Sequence, residues 1–232
     1  MCLAVSLVVT GCNPTPPEVA GTDYQLRELE QKATAPVYTP KPPVYKPPFK
    51  PVGSIKGKVI VIDAGHGGKD PGTKGLSAVS EKTINLDVAK KVAAKLTAMG
   101  AVVKMTRTTD VYIELEDRAA FASRYKADAF ISIHADYIAN SSISGPTCFV
   151  ARQAGAQSIK IGETIIKEFG LNGITTKGLR RADYKVLVNH PKPAALVEVG
   201  YLSNSAEAKR LNTDAYRAKV ATIIAAGIQK SF

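Results

Sequence analysis

A chain of 232 residues, 45% of them apolar, is long enough for one ordinary domain plus an extension and too short for a large multidomain assembly. No run approaches the roughly 20 apolar residues of a spanning helix, and three cysteines give no disulfide framework. Of the formal charge of +11, residues 1–54 carry only +1 (five Lys/Arg against four Asp/Glu), so the body of the chain is strongly basic. A polyanionic neighbour fits that charge, whether nucleic acid, anionic lipid or an acidic wall polymer.

The chain begins with an apolar stretch, Met1 to Gly11, that ends Val9-Thr10-Gly11-Cys12. Small residues before a cysteine resemble the lipobox of bacterial lipoproteins, in which the cysteine becomes the lipidated first residue. No Lys or Arg precedes the apolar core, a departure from ordinary secretion signals. Residues 1–12 are therefore expected to be a signal with Cys12 as the lipid-attachment site, placing the protein outside the cytoplasm, in the periplasm or cell envelope on a membrane anchor. An ordinary cleaved signal with an incidental cysteine is the alternative. Residues 13–54 read as a disordered Pro-rich tether. Ten of the 14 prolines lie between Pro14 and Pro51, and Lys41-Pro-Pro-Val-Tyr45 is followed by the similar Lys46-Pro-Pro-Phe-Lys50.

From residue 55 to 232, strand and helix patterns alternate, which predicts one three-layer α/β domain. The first buried strand, Val59 to Ile62, runs into Asp63-Ala-Gly-His-Gly-Gly68. Glycines on both sides of His66 let the backbone turn and keep bulk away from the imidazole, at the carboxyl end of a strand where α/β sheets place ligand sites. Turn formers follow in Asp70-Pro-Gly-Thr-Lys-Gly75. A helix is expected from about Glu81 to Met99, with Ile84, Val88, Val92, Leu96 and Met99 as its buried stripe and Gly100 as its stop. Taken alone, Glu81 suits the dipole of that helix start.

Ala101 to Thr106 reads as a strand and Leu115 to Lys126 as a helix. Ala129-Phe-Ile-Ser-Ile-His134-Ala-Asp136 then repeats the opening arrangement: a buried strand ending in histidine, with an acid just beyond. Two strand-end histidines and a helix-start glutamate make a His/Glu/His set. Three nitrogen and oxygen ligands, with a fourth position for water and no thiolate, are how catalytic zinc is usually held. Strand Thr147 to Ala151, helix Ala156 to Gly170, a basic loop with Lys177, Arg180 and Arg181, and strand Lys185 to Asn189 are expected next. The buried strand Ala194 to Gly200 carries one carboxylate, Glu198. Such a charge inside an apolar strand is costly unless a site pairs or solvates it, which favours function. Ser205 to Lys230 supplies closing helices.

Together these residues resemble the zinc-dependent N-acetylmuramoyl-L-alanine amidases of the cell-separation type. The matching stretches are Ile62-Asp-Ala-Gly-His-Gly-Gly68, Asp70-Pro-Gly-Thr-Lys-Gly75, Glu81-Lys82, Thr106-Arg107 with Asp110, Arg118, Ser132-Ile-His-Ala-Asp136 and Leu196-Val-Glu-Val-Gly-Tyr-Leu-Ser-Asn204. They run in order from Lys58 to Phe232. The resemblance implies a mixed sheet flanked by helices, phosphorylase/hydrolase-like, with one Zn2+ bound by His66, Glu81 and His134. Glu198 is implied as the catalytic carboxylate, general base and then acid. The implied bond joins the lactyl group of N-acetylmuramic acid to the L-alanine of the stem peptide in peptidoglycan. Asp63 and Asp136 are candidates for orienting the ligand histidines, and Arg180 for a substrate contact. Ala64 stands where the family often has proline. His190 is not a family ligand; it lies one strand and loop from Glu198, and a surface role is its plainer reading. Regulated members insert a helix over the zinc between the second histidine and the glutamate. Residues 135–197 are largely used up by two strands, one helix and connections, so that plug is expected to be absent. An activator protein is left unspecified, and the protein is expected to act as a monomer.

Two other readings fit parts of the sequence. Another zinc peptidase or deacetylase could use the same ligand types, although Glu81-Lys82 and Gly200 to Asn204 speak against it. A non-catalytic lipoprotein gripping peptidoglycan would need neither the ligand set nor Glu198. A nucleic-acid partner is excluded by the lack of any stacking platform or binding motif beside the charge.

Overall fold

The computed structural model describes residues 54–76 and 78–232. The expected signal, Cys12 and nearly all of the expected tether lie outside the described residues. Six strands form one sheet in the order β2-β1-β3-β6-β4-β5. They are β1 (Val59–Ala64), β2 (Val102–Met105), β3 (Ala129–His134), β4 (Thr147–Val150), β5 (Gly178–Arg181) and β6 (Ala194–Glu198). The helices are α1 (Glu81–Ala98), α2 (Leu115–Arg124), α3 (Ala156–Leu171), α4 (Lys185–Val188), α5 (Ser205–Leu211) and α6 (Asp214–Ser231).

β1, β2, β3 and β6 are mutually parallel. The three central strands are buried on both faces, as their near-continuous apolar runs require. Helices α1 and α2 make the crossovers that parallel neighbours need, whereas β3 reaches β4 through residues 135–146 without a helix. β4 accordingly runs antiparallel to β6. The sheet is mixed, as expected.

Alternation along the strands builds two cores. Ile60, Ile62, Ile131, Ile133 and Val197 pack under α1, α3 and α6 with Ile84, Ile165 and Ile224. Val61, Phe130, Phe149 and Leu196 face the other way, toward Tyr184 and Leu187. Asp63, Ser132, His134 and Glu198 fall on this second side by the same period of two. α1 ends as its sequence predicts, with Met99 as C-cap and Gly100 in the left-handed region at φ 90°.

Two expected elements differ. Arg180 and Arg181, expected in a loop, lie on β5, a four-residue edge strand paired in parallel with β4. Lys185 to Asn189, expected as a strand, contains the single helical turn α4, with Val186 and Leu187 both buried. Adjacent apolar residues in so short a run fit either state. Here Tyr184 O accepts the N–H groups of Leu187 and Val188 and closes the turn.

Candidate metal centre and active site

The carboxyl ends of β1 and β3 and the amino end of α1 converge on three side chains. Glu81 Oε1 lies 3.2 Å from His66 Nε2 and 3.2 Å from His134 Nδ1. All three donor atoms sit within 4.8 Å of one another. Tetrahedral bonds of about 2.0–2.1 Å put ligand atoms about 3.3 Å apart, so the two glutamate spacings match a divalent cation at the centre. The donor set has two nitrogens and one oxygen. Among the described residues the free cysteine, Cys148, is buried, and burial pushes its thiol up to about 12, which removes it as a nucleophile.

Local sequence explains how each of the three side chains is presented. His66 adopts φ 59°, an uncommon conformation for a residue with a side chain. The turn it starts is closed by paired backbone bonds between Gly67 and Asp70, at 2.9 and 3.1 Å. That turn brings the Asp70 carboxylate back to His66 Nδ1, at 2.7 Å, leaving Nε2 toward Glu81. Gly65 is a space requirement: a Cβ there would stand 2.3 Å from the His134 ring. Glu81 is buried and held by N–H groups of Thr73 and Ala135 at 2.8 and 3.1 Å, and by Asn85 Nδ2 at 3.3 Å.

Burial by itself would lower the pKa of His66, but the Glu81 carboxylate and the Asp70 bond outweigh it and raise it well above the usual range. Burial would raise Glu81, yet the two imidazoles hold it well below the ordinary carboxylate value. The pocket thus concentrates negative potential where a cation would replace the ring proton.

Glu198 enters from the next strand. β3 and β6 pair in parallel with His134 opposite Glu198, and His134 O accepts the N–H of Val199 at 2.9 Å. Paired residues of parallel strands point to the same side, so the fully buried Glu198 stands beside His134.

Asp63 corrects an expectation. Its carboxylate bonds to neither imidazole; it accepts from Thr106 (2.6 Å), Ser132 (2.7 Å) and Arg118 (2.8 Å). Arg118 donates onward to Ala64 O and His66 O, and Arg107 to Ala64 O and Gly65 O. Asp63 therefore anchors Arg118, one of the two cations that hold the backbone of the His66 loop. The carboxylate that orients His66 is Asp70, whose sequence context predicts only a turn. Asp136 is buried, with Oδ1 accepting the Tyr137 N–H at 2.6 Å. His190 lies before β6, at the opposite end of that strand from Glu198. Its ring is paired to Val186 O and Lys192 N–H and packed against Phe130, a local structural role.

Two expected results follow from this geometry. Replacing Asp70→Ala frees the His66 ring and should weaken zinc affinity by about 10–100-fold, measured by competition with a chromophoric chelator. Unchanged affinity would dismiss Asp70 as a positioning residue. Gly65→Ala should displace His134 and lower bound zinc in the purified protein well below one equivalent, with the helical circular dichroism retained. Full occupancy would show that the loop yields instead.

The family model for N-acetylmuramoyl-L-alanine amidase matches residues 60–230. The amidase AmiA of Salmonella typhimurium is 30% identical over 232 aligned residues, covering 81% of this chain and 80% of AmiA. LytC of Bacillus subtilis, also named an N-acetylmuramoyl-L-alanine amidase, is 34% identical over 172 residues; these cover 73% of this chain but 34% of LytC. The catalytic domain of CwlV from Bacillus (Paenibacillus) polymyxa var. colistinus superposes with a TM-score of 0.69 at 39% identity, over 74% of this chain and 96% of that domain. The chain belongs to the N-acetylmuramoyl-L-alanine amidase family, hydrolases of the amide bonds of peptidoglycan.

Proposed function

We propose that this chain cuts the amide between the lactyl group of N-acetylmuramic acid and the L-alanine of the stem peptide, with one zinc ion held by His66, Glu81 and His134. When bound, the ion supplies Lewis-acid chemistry, polarising the scissile carbonyl and making a water easier to deprotonate. The Glu198 carboxylate accepts the proton of the attacking water. It then delivers that proton to the amide nitrogen as the C–N bond breaks, so the peptide leaves as an amine and the lactyl group as a carboxylic acid. Asp70 keeps the His66 ring turned toward the metal, and the His66 loop is held from behind by Arg107 and Arg118.

The observation that carries the reading is the register of His134 with Glu198 on adjoining parallel strands. It supports a proton-handling carboxylate one strand spacing, about 4.8 Å, from a ligand. Between those residues the described helices are α3, packed along β4, β5 and β6, and α4, whose Val186 and Leu187 are buried. This supports activity without an activator. Export to the envelope belongs to the same reading, and attachment at Cys12 rests on its sequence context alone.

The test is mass spectrometry of purified peptidoglycan digested by residues 55–232, with and without chelator, beside Glu198→Ala. Stem peptides beginning at L-alanine, lost in both controls, are expected. Cuts inside the peptide would replace the amidase reading with an endopeptidase.

A further inference from the structure

The cleft does not end at the metal ligands. On β4, Thr147 lies opposite Glu198 and Phe149 opposite Leu196, while Phe149 also pairs with Arg180 on β5. Glu198, Thr147, Phe149 and Arg180 therefore share one side of the sheet, in a row leading away from the metal centre. A small cavity at the end of this row has an apolar wall of Ile138, Ile143 and Phe149, and carries Lys177 and Arg180. Its inner side is formed by Tyr201, whose hydroxyl bonds to Thr147 Oγ1, and by Asp136.

The partly open charges of this cavity are positive. Asp136 and Glu198 are 5% and 0% exposed, and Asp136 Oδ1 already accepts a backbone N–H. Lys177 and Arg180 both keep part of their surface open. Arg180 Nε is buried with no hydrogen-bond partner in the described structure. A guanidinium offers five donors in a fork that matches a carboxylate, and a desolvated donor left unmet is unfavourable.

We infer that Lys177 and Arg180 form a carboxylate subsite for the peptide portion of the substrate, on the leaving-amine side of the cut bond. The inference rests on the amidase reading for its choice of ligand. In that substrate the lactyl carboxyl is tied up in the amide, so the sugar side presents hydroxyl and acetamido groups, which are neutral. A peptide with a free terminus ends in a carboxylate, and acidic residues add more. The basic arm of the cleft therefore selects the peptide end, and this fixes the direction in which the substrate lies across Glu198.

The deciding experiment uses N-acetylmuramoyl-L-alanyl-D-glutamate and the same molecule with both carboxyls converted to carboxamides. The wild-type enzyme should prefer the acid in kcat/KM by about 10–100-fold, the worth of a charge-assisted pairing, chiefly through KM. Arg180→Gln should bring that ratio close to one, Lys177→Gln should reduce it less, and Arg180→Lys should restore part of it. In parallel, calorimetry with the free dipeptide L-alanyl-D-glutamate and its diamide reads binding without catalysis, and should show the same preference and the same losses. Equal handling of acid and diamide by the wild type, or a preference that survives Arg180→Gln, would overturn the subsite. Failure of the amidase reading looks different: neither probe would release its peptide, while calorimetry would still decide whether the cavity favours the acid.

Discussion

A Glu198→Gln enzyme is expected to keep one equivalent of zinc and its fold while kcat falls by about 10²–10⁴-fold, the usual worth of a positioned acid–base group. The substitution preserves shape and removes only the ability to take up and return a proton. Glu198 belongs to none of the three ligand positions, since His66, Glu81 and His134 form the only metal-competent cluster among the described residues. Metal content, by elemental analysis, should therefore separate this variant from His134→Ala, which should lose both zinc and activity. Chelation of the wild type should reproduce the His134→Ala result and be reversed by added zinc. A Glu198→Gln enzyme that has lost its zinc would make Glu198 part of the metal site. One within tenfold of wild-type kcat would hand the proton to another group.

The contrast between Glu198 and Asp70 shows what a chain read in one dimension can carry. His66, His134 and Glu198 each stand at or just past the end of a buried apolar run, and such runs become central strands whose carboxyl ends meet at one sheet edge. Glu81 opens a long helix, where an acid alone only suits the dipole, and it becomes a candidate through the two histidines. Asp70 was not, because its approach to His66 depends on one left-handed residue and a tight backbone turn. A His followed by two glycines and an Asp-Pro-Gly was the available sign, and it pointed to a turn without saying which groups would meet. The β5 error has a similar origin. Gly178-Leu-Arg-Arg181 has no alternation to mark a strand, and its extended state is supplied by pairing with β4. Arg107 and Arg118 stand in the stretches that carry the resemblance, but their burial is not legible, since nothing local distinguishes them from the chain's many surface cations.

Those arginines set the second large effect, which falls on stability. Asp63 is fully buried and accepts from Arg118, Thr106 and Ser132, while Arg118 and Arg107 are 3% and 2% exposed. Replacing Asp63→Ala leaves the Arg118 guanidinium buried near a second cation with no counter-charge. Breaking a buried pair in this way typically costs about 3–5 kcal/mol, which for a domain of this size lowers Tm by roughly 6–20 °C. Asp63→Asn, which keeps hydrogen-bonding capacity, should cost less than Asp63→Ala. The same pairing sets a pH dependence. Burial would raise the Asp63 pKa, but Arg118 and the two hydroxyls overcome it and hold the carboxyl below its ordinary value. A depressed folded pKa means that the unfolded chain takes up the proton first as pH falls. The contribution of Asp63 is thus fully present above about pH 4 and drains away as the pH drops through its lowered folded value. Urea unfolding of wild type and Asp63→Ala at pH 7 and pH 3 should show the gap between them narrowing in acid. A gap below about 1 kcal/mol at neutral pH would mean that the arginines are held by the loop carbonyls alone.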